Sequence, residues 1–240
     1  RSMSFSPILT LYRAASVVAG AFAASALAKR ARAGKEDPDR LGERFARYSQ
    51  LRPDGRLIWF HAASVGESSV ALALIEALGA RDGGLNFLLS TGTRTSAQMV
   101  ARRGPARTTH IYAPLDRPDV VARFIRYWRP DAGAFVESEI WPNLILEAER
   151  KGAALALVNA RMSPKTLRRW ERWGAAGTRL MRAFAFVSAA DSRTAETLSA
   201  LRGAAVSALG NLKLAAPAPR VEAEARAALA AQIGMRPIWV

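Results

Sequence analysis

The chain has 240 residues, of which 50% are hydrophobic and 23% charged, so its composition allows a packed core and excludes disorder. It has no cysteine and only two histidines, which excludes a disulfide scaffold, thiolate metal sites and a histidine-rich metal site. Its net charge of +15 predicts an anionic partner: nucleic acid, an anionic membrane surface or a phosphorylated substrate.

The first predicted element is an apolar helix near the amino terminus. Residues 14–28 carry no charge, and residues 6–12 extend this stretch to roughly the length of about 20 residues that spans a bilayer, with Arg13 interrupting it. Four basic residues follow the apolar stretch, namely Lys29, Arg30, Arg32 and Lys35. Such a cluster predicts that this end of the helix lies on the cytoplasmic side. We interpret residues 1–35 as a membrane anchor helix with a basic flank, spanning the membrane or lying in its plane. A cleaved signal peptide and a buried helix of a soluble domain are the alternatives.

Short apolar segments alternate with helical patterns from residue 36 to residue 214. The predicted strands are 56–62, 85–89, 110–112, 132–136, 153–158, 183–188 and 205–209. The predicted helices are 68–78, 96–103, 118–126, 144–151, 164–181 and 193–201. This alternation predicts an α/β fold, a Rossmann-like parallel sheet with helices on both faces.

A second domain is predicted to begin near the end of the sequence. Residues 215–220 have the composition of a linker, residues 221–233 are predicted to be helical, and residues 236–240 resemble the opening of a new strand. We therefore expect residues 215–240 to be a linker and the truncated start of another domain.

Ligands of parallel sheets bind at the carboxyl ends of the strands, so the loops there contain the candidate site residues. The loop after the first strand holds His61, Ser64, Gly66 and Glu67. Glu67 falls in the first turn of a helix, where it can act as a general base or merely complement the helix dipole. The helix terminus lowers the pKa of a carboxylate, and we expect partial burial to offset this effect.

Four further loops follow predicted strands. Thr93 lies in a hydroxyl-rich loop at a helix start, which suits phosphate or sugar oxygens, or simple capping of the helix. Glu137 and Glu139 are paired carboxylates that could bind hydroxyls or a cation, or form a turn. The last two loops are either part of a cleft or ordinary solvated turns, and their polar residues are Asn159, Arg161, Ser163, Asn211 and Lys213.

Five of these segments together resemble one family. HAASVGE (61–67), STGTRTS (90–96), ESEIWPNL (137–144), NARMS (159–163) and GNLK (210–213) are similar in order and spacing to motifs of the 3-deoxy-D-manno-octulosonic acid (Kdo) transferases. The segment GERF (42–45) fits too, and the resemblance covers roughly residues 7–214.

The resemblance implies the amino-terminal half of a GT-B glycosyltransferase with an inverting mechanism and no metal or cofactor. It implies transfer of Kdo from CMP-Kdo to lipid IVA at the cytoplasmic face of the inner membrane. Residues 36–214 would bind the acceptor, and the second domain would bind most of the donor, so we expect residues 1–240 alone to be inactive.

The resemblance also implies roles for individual residues. Glu67 would be the general base that deprotonates the 6′-hydroxyl of the acceptor for attack on the anomeric carbon, and Glu137 would be a second important carboxylate. Positions matching motif residues of the cleft are Ser64, Arg161, Asn211 and Lys213. With these, our predicted substrate-binding set includes His61, Gly66, Thr93, Glu139, Asn159 and Ser163.

Residues 187–198 depart from the family pattern, since Ala190, Thr194 and Thr197 stand where many members have other polar residues. We interpret these as structural positions. Two alternative functions are another GT-B glycosyltransferase, and a non-catalytic basic module for membrane surfaces or nucleic acid. The arginines are spread over many helices and no nucleic-acid motif occurs, so we expect no nucleic acid partner.

Overall fold

The computed structural model describes residues 6–214, 223–234 and 236, and its centre is a parallel sheet of seven strands. The strands are β1 (Leu57–Ala62), β2 (Asn86–Thr91), β3 (Thr108–Tyr112), β4 (Ala132–Val136), β5 (Ala154–Ala160), β6 (Phe184–Ala189) and β7 (Ser207–Ala208). Their order in the sheet is β3-β2-β1-β4-β5-β6-β7, and each neighbouring pair is parallel. The predicted Rossmann-like sheet is confirmed.

Helices connect the strands. They are α1 (Pro7–Arg32), α2 (Val65–Arg81), α3 (Arg94–Arg103), α4 (Pro118–Trp128), α5 (Pro142–Arg150), α6 (Pro164–Arg172), α7 (Ala175–Arg182), α8 (Ser192–Arg202) and α9 (Ala223–Ile233). Two short 3-10 helices cover Pro38–Phe45 and Leu212–Leu214. Several helices begin at a side chain that accepts a backbone N–H, as Asp191 does for Thr194 at the start of α8. Thr194 is buried there, which agrees with a structural role.

Two apolar cores pack against the two faces of the sheet. Neighbouring residues of a strand point to opposite faces, so Trp59 enters one core and Phe60 the other. The ring of Trp59 lies 4.9 Å from Phe124 on α4 and 5.0 Å from Phe135 on β4. This aromatic packing fixes β1 and β4 side by side, and these two strands lead into the candidate site.

The chain reverses its direction of travel through the sheet between β1 and β4. From β1 it proceeds outward through β2 and β3, and then returns to β4 on the other side of β1. Such a reversal opens a crevice at the carboxyl ends of the two central strands, where the following loops diverge. The loops after β1 and β4 therefore face each other.

Two predicted elements differ from the structure. The single helix predicted at 164–181 is two helices, because Gly174 adopts a φ of +50° and interrupts the hydrogen-bond ladder between α6 and α7. The strand predicted at 205–209 is only the two residues of β7, at the edge of the sheet. The predicted linker 215–220 and, apart from Arg236, the strand 236–240 lie outside the described residues, so the proposed domain boundary stays a prediction.

Helix α1 lies along the domain surface near the carboxyl ends of the strands. Tyr12 donates a hydrogen bond of 2.8 Å to Asp116, and Ser16 accepts one of 3.0 Å from Asn143. These contacts are one helical turn apart, so one face of α1 follows the domain. The helix is long and apolar enough to cross a membrane, which is weak evidence for membrane association because signal sequences meet the same criterion.

Candidate active site

The loop after β1 folds into a reciprocal cap around Glu67. Ser64 begins α2, and its Oγ accepts the Glu67 N–H at 3.3 Å. The Glu67 carboxylate accepts hydrogen bonds from Ser64 Oγ at 3.0 Å and from the Ala63 N–H at 2.7 Å. Glu67 therefore lies in the first turn of α2, as predicted, and its carboxylate is held in one orientation by two donors.

Burial determines the acidity of Glu67. The side chain is only slightly exposed, and its desolvation raises the pKa of the carboxyl above the ordinary value. The hydrogen bonds from Ala63 and Ser64 oppose this shift, and the nearby charges of Glu139 and Glu137 add to it. The pKa increase caused by burial therefore exceeds the decrease caused by these hydrogen bonds at the start of the helix. This makes Glu67 a stronger base than an exposed glutamate.

Glu137 is the first residue after β4, and it is the centre of a second polar cluster. Its carboxylate lies 2.5 Å from Lys213 Nζ and accepts a hydrogen bond of 3.4 Å from Asn159 Nδ2. Asn159 also contacts Asn211, and its Oδ1 accepts the Leu212 N–H at 2.9 Å. These contacts join the ends of β4 and β5 to the segment that follows β7.

Lys213 connects this cluster to the loop of Glu67. A methyl group built on Gly66 would lie 3.1 Å from Lys213 Cε and 3.2 Å from its Nζ, so the lysine side chain packs directly over the start of α2. A glycine at position 66 leaves room for that approach. Seven of the predicted residues therefore surround one crevice, namely Ser64, Gly66, Glu67, Glu137, Asn159, Asn211 and Lys213.

His61 and Glu139 lie at the same edge of the sheet. Glu139 Oε2 is 3.7 Å from His61 Nε2 and accepts a hydrogen bond of 2.7 Å from the indole of Trp141. Burial raises the pKa of Glu139, but His61 and Trp141 outweigh that effect, so its pKa is below the ordinary value. A carboxylate that stays ionised therefore faces the interior of the crevice.

Three predicted substrate-binding residues have other surroundings. Thr93 begins α3, where its Oγ1 accepts the Ser96 N–H at 3.1 Å, and Ser163 begins α6, where its Oγ accepts the Thr166 N–H at 3.2 Å. Both contacts are those of helix caps. Arg161 is exposed. None of these contacts joins the three residues to Glu67, and their roles as ligands stay predictions.

Comparison with known proteins decides the family. A model described as 3-Deoxy-D-manno-octulosonic-acid transferase (kdotransferase) matches residues 39–216. The chain belongs to the Kdo transferase family. It is 38% identical over 183 residues to the 3-deoxy-D-manno-octulosonic acid transferase of Rickettsia bellii, which is 76% of this chain and 43% of the relative.

Two further relatives are a plant mitochondrial protein and a protein from another bacterium. A probable mitochondrial 3-deoxy-D-manno-octulosonic acid transferase of Arabidopsis thaliana is 40% identical over 137 residues, 57% of this chain and 31% of the relative. The transferase of Haemophilus influenzae is 33% identical over 132 residues, 55% of this chain and 31% of the relative. The chain thus spans less than half the length of the relatives it matches.

Asp116 is a buried polar residue that the sequence analysis missed. Its carboxylate accepts hydrogen bonds from Tyr12 of α1 at 2.8 Å and from the Leu144 N–H of α5 at 2.7 Å. Burial raises its pKa, and these hydrogen bonds oppose the shift. Asp116 follows β3, so the rule that sites lie at carboxyl ends of strands could have found it.

A buried ion pair between Glu36 and Arg44 was also missed. Arg44 Nη2 lies 2.8 Å from Glu36 Oε2, and both side chains are less than a tenth exposed. Arg44 also donates to the carbonyls of Gly92 at 2.7 Å and Ala113 at 3.1 Å. The segment GERF, noticed only for its resemblance to the Kdo transferase family, therefore ties the loops after β2 and β3 to the connection from α1.

The described residues contain no group of three or more His, Asp or Glu side chains placed to hold a metal ion. The candidate site of this Kdo transferase family member is better described as three carboxylates in one crevice, of which Glu137 is paired with a lysine. Glu67 has the raised pKa and is the carboxylate best suited to accept a proton.

We expect Gly92→Ala to destabilise this crevice. The Gly92 N–H donates to the Ala63 carbonyl at 3.2 Å, and a methyl group at position 92 would lie 2.7 Å from that oxygen. Because both are backbone atoms, the two loops must separate, at a cost of about 1–3 kcal/mol in the free energy of unfolding. Chemical denaturation measures this cost.

Gly83→Ala is the matched control for this substitution. Gly83 is exposed, and a methyl group there meets no atom of the described structure within 4 Å. We expect a change below about 0.5 kcal/mol for Gly83→Ala. Equal effects of the two substitutions would contradict the close contact between the loops.

Proposed function

We propose that this chain is the acceptor-binding half of a GT-B glycosyltransferase that transfers Kdo from CMP-Kdo to lipid IVA in lipopolysaccharide biosynthesis. The observation that carries the proposal is Glu67, a buried and oriented carboxylate with a raised pKa at the crevice between β1 and β4. Family membership supports the same reaction class.

In the proposed reaction the ionised Glu67 takes the proton of the 6′-hydroxyl of the acceptor. The hydroxyl oxygen forms a bond to the anomeric carbon of Kdo on the face opposite CMP. The bond from that carbon to the phosphate oxygen breaks, and CMP leaves with its electron pair, so the configuration at the anomeric carbon inverts. Because no group of the protein forms a covalent bond, the main demands are orientation and one base.

The remaining crevice residues have supporting roles in this proposal. The ammonium of Lys213 neutralises Glu137, which limits the accumulation of negative charge beside an anionic donor. We assign Asn159 and Asn211 to holding these two side chains in place. The second domain would bind most of CMP-Kdo, and we expect residues 1–240 alone to transfer no sugar.

We also propose that the protein acts at the cytoplasmic face of the inner membrane, where its lipid acceptor lies. A net charge of +15 suits an anionic membrane surface and a phosphorylated acceptor. The polar contacts of α1 with Asp116 and Asn143 favour a helix that lies in the plane of the membrane over one that spans it.

The test uses the protein extended through its second domain, incubated with lipid IVA and CMP-Kdo, and reads the mass of the acceptor. The expected result is an acceptor heavier by one or more Kdo residues. Consumption of a different sugar nucleotide would contradict the named donor and favour another GT-B glycosyltransferase. Residues 1–240 alone, assayed beside it, are expected to leave the acceptor unchanged.

The pH dependence of transfer gives a further prediction. Transfer slows as the pH falls through the pKa of Glu67, because the protonated carboxyl cannot accept a proton. The charge of Glu139 raises that pKa, so Glu139→Gln should shift the acid limb of the kcat/KM profile to lower pH. Glu147→Gln is the control, since Glu147 is paired with Arg150 on α5. If neither variant shifted the acid limb, the result would contradict the coupling between the charge of Glu139 and the pKa of Glu67.

A further inference from the structure

Two cavities lie between α1 and the carboxyl ends of the strands. The first, of about 250 Å³, is lined by Leu27 of α1 and by His61, Asp116, Glu139 and Trp141. The second, of about 340 Å³, is lined by one face of α1. Leu115, Asp116 and Trp141 line both cavities, so the two spaces are neighbours separated by these three side chains.

The first cavity presents a buried ring nitrogen without a hydrogen-bond partner. His61 is held from its other side, because Ser90 Oγ lies 2.9 Å from His61 Nδ1 and also accepts the indole N–H of Trp59 at 2.9 Å.

The other ring nitrogen, Nε2, lies on the side of Glu139. His61 is 2% exposed, and its Nε2 is buried without a hydrogen-bond partner among the described residues. It is 3.7 Å from Glu139 Oε2, a separation longer than a hydrogen bond. A hydroxyl group placed beside both atoms completes their hydrogen bonding, because it donates to the carboxylate and its lone pairs accept a ring N–H.

Trp141 gives the first cavity a second feature that favours a sugar. Its indole N–H is fixed by Glu139, and the side chain is 41% exposed. A fixed and accessible aromatic face beside hydrogen-bonding groups offers an apolar surface to the C–H groups of a sugar ring while the hydroxyls reach His61 and Glu139.

The second cavity is apolar where α1 faces it. The small residues Ala15, Ala19, Gly20 and Ala23 line it, and the polar side chains of Tyr12 and Ser16 in its lining are already bonded to Asp116 and Asn143. On α1 outside this lining, Val17, Val18 and Phe22 are exposed. An acyl chain from an adjacent lipid surface can enter along the helix without leaving an apolar environment.

We propose that the two cavities form one site for an amphiphilic glycolipid acceptor. A sugar hydroxyl lies between His61 Nε2 and Glu139 Oε2, the sugar ring packs on Trp141, and one acyl chain lies between α1 and Leu115. The proposal rests on the proposed function, which it deepens by assigning α1 a part in selecting acylated acceptors.

The kinetic test uses the full-length protein, including its second domain. Ala23→Trp fills the second cavity, and Ala21→Trp adds the same volume at an exposed position of α1 that does not line it. Both variants are assayed with lipid IVA and with the bis-phosphorylated disaccharide from which all acyl chains have been removed.

Ala23→Trp should lower kcat/KM at least tenfold with lipid IVA and less than twofold with the deacylated disaccharide. Ala21→Trp should change neither value more than twofold. Equal loss on both acceptors, or no loss on lipid IVA, would overturn the acyl-chain half of the proposal. Absence of transfer by the unmodified protein would instead contradict the proposed function.

A labelling experiment tests the site without relying on transfer. Lipid IVA with a photoactivatable diazirine at the end of an acyl chain is irradiated with the full-length protein in detergent. We expect labelling of Leu115 and of the α1 residues around Ala19, reduced by excess lipid IVA without the diazirine. Labelling confined to Val17, Val18 and Phe22 would overturn the proposal, since bulk lipid reaches those residues.

Discussion

Glu67→Gln in the full-length protein is expected to lower kcat for sugar transfer by about 10²–10⁴-fold, the usual contribution of a general base. The amide cannot take a proton from the acceptor hydroxyl. It has nearly the size of the carboxylate, and its oxygen can still accept one of the two hydrogen bonds from Ala63 and Ser64. The fold should therefore survive, with a loss of stability of about 1 kcal/mol.

Steady-state rates at saturating donor, measured together with thermal unfolding, separate catalysis from stability in this prediction. Glu76→Gln is the matched control, because Glu76 lies on the same helix and is exposed. It should keep nearly the full rate. A Glu67→Gln variant that retained more than a tenth of the parent rate would show that another group accepts the proton.

Arg44→Met is expected to lower the free energy of unfolding by about 1.5–3 kcal/mol, because it removes the charged donor to Glu36 Oε2 and leaves Arg30, at 2.8 Å from Oε1, as the remaining partner of that buried carboxylate. It also removes the donors to the carbonyls of Gly92 and Ala113. The double variant Glu36→Gln/Arg44→Met should be more stable than Arg44→Met, because a neutral amide costs less to bury than a carboxylate that has lost one of its two arginines. Chemical denaturation of the chain in detergent measures both differences.

Arg56→Met is the control for this ion pair. Arg56 pairs with Asp82 at the surface, where its side chain is 66% exposed, and such pairs contribute less than about 1 kcal/mol. If Arg44→Met and Arg56→Met had similar effects, the Glu36–Arg44 pair would not be the buried connection described above.

The sheet and the position of the candidate crevice could be predicted because their signals are local. Short apolar segments alternate with helical periodicity, and the rule about strand ends then points to the loops of Glu67, Glu137 and Asn159. All three lie where that rule places them. The helix break at Gly174 was missed because the apolar spacing continues on both sides of it, and only the φ of the glycine interrupts the helix.

The contacts of α1 and Arg44 could not be predicted for a different reason. Tyr12 and Asp116 are 104 residues apart in the chain, and Arg44 and Gly92 are 48 apart. Pattern and propensity describe neighbours in sequence, whereas these partners are decided by how the helices pack on the sheet. The same reasoning applies to the contact between His61 and Ser90, which lie on adjacent strands.

The backbone conformation of Glu137 affects how substitutions at this position change stability. Its φ of +61° is a left-handed conformation that costs a residue with a side chain about 1–2 kcal/mol and costs glycine little. Stability alone would favour glycine at this position. Glu137→Gly should therefore give a protein at least as resistant to heat as Glu137→Ala, while both lose transfer. With the role proposed above for Glu137, selection for heat resistance at this position would remove the carboxylate that the proposed reaction uses.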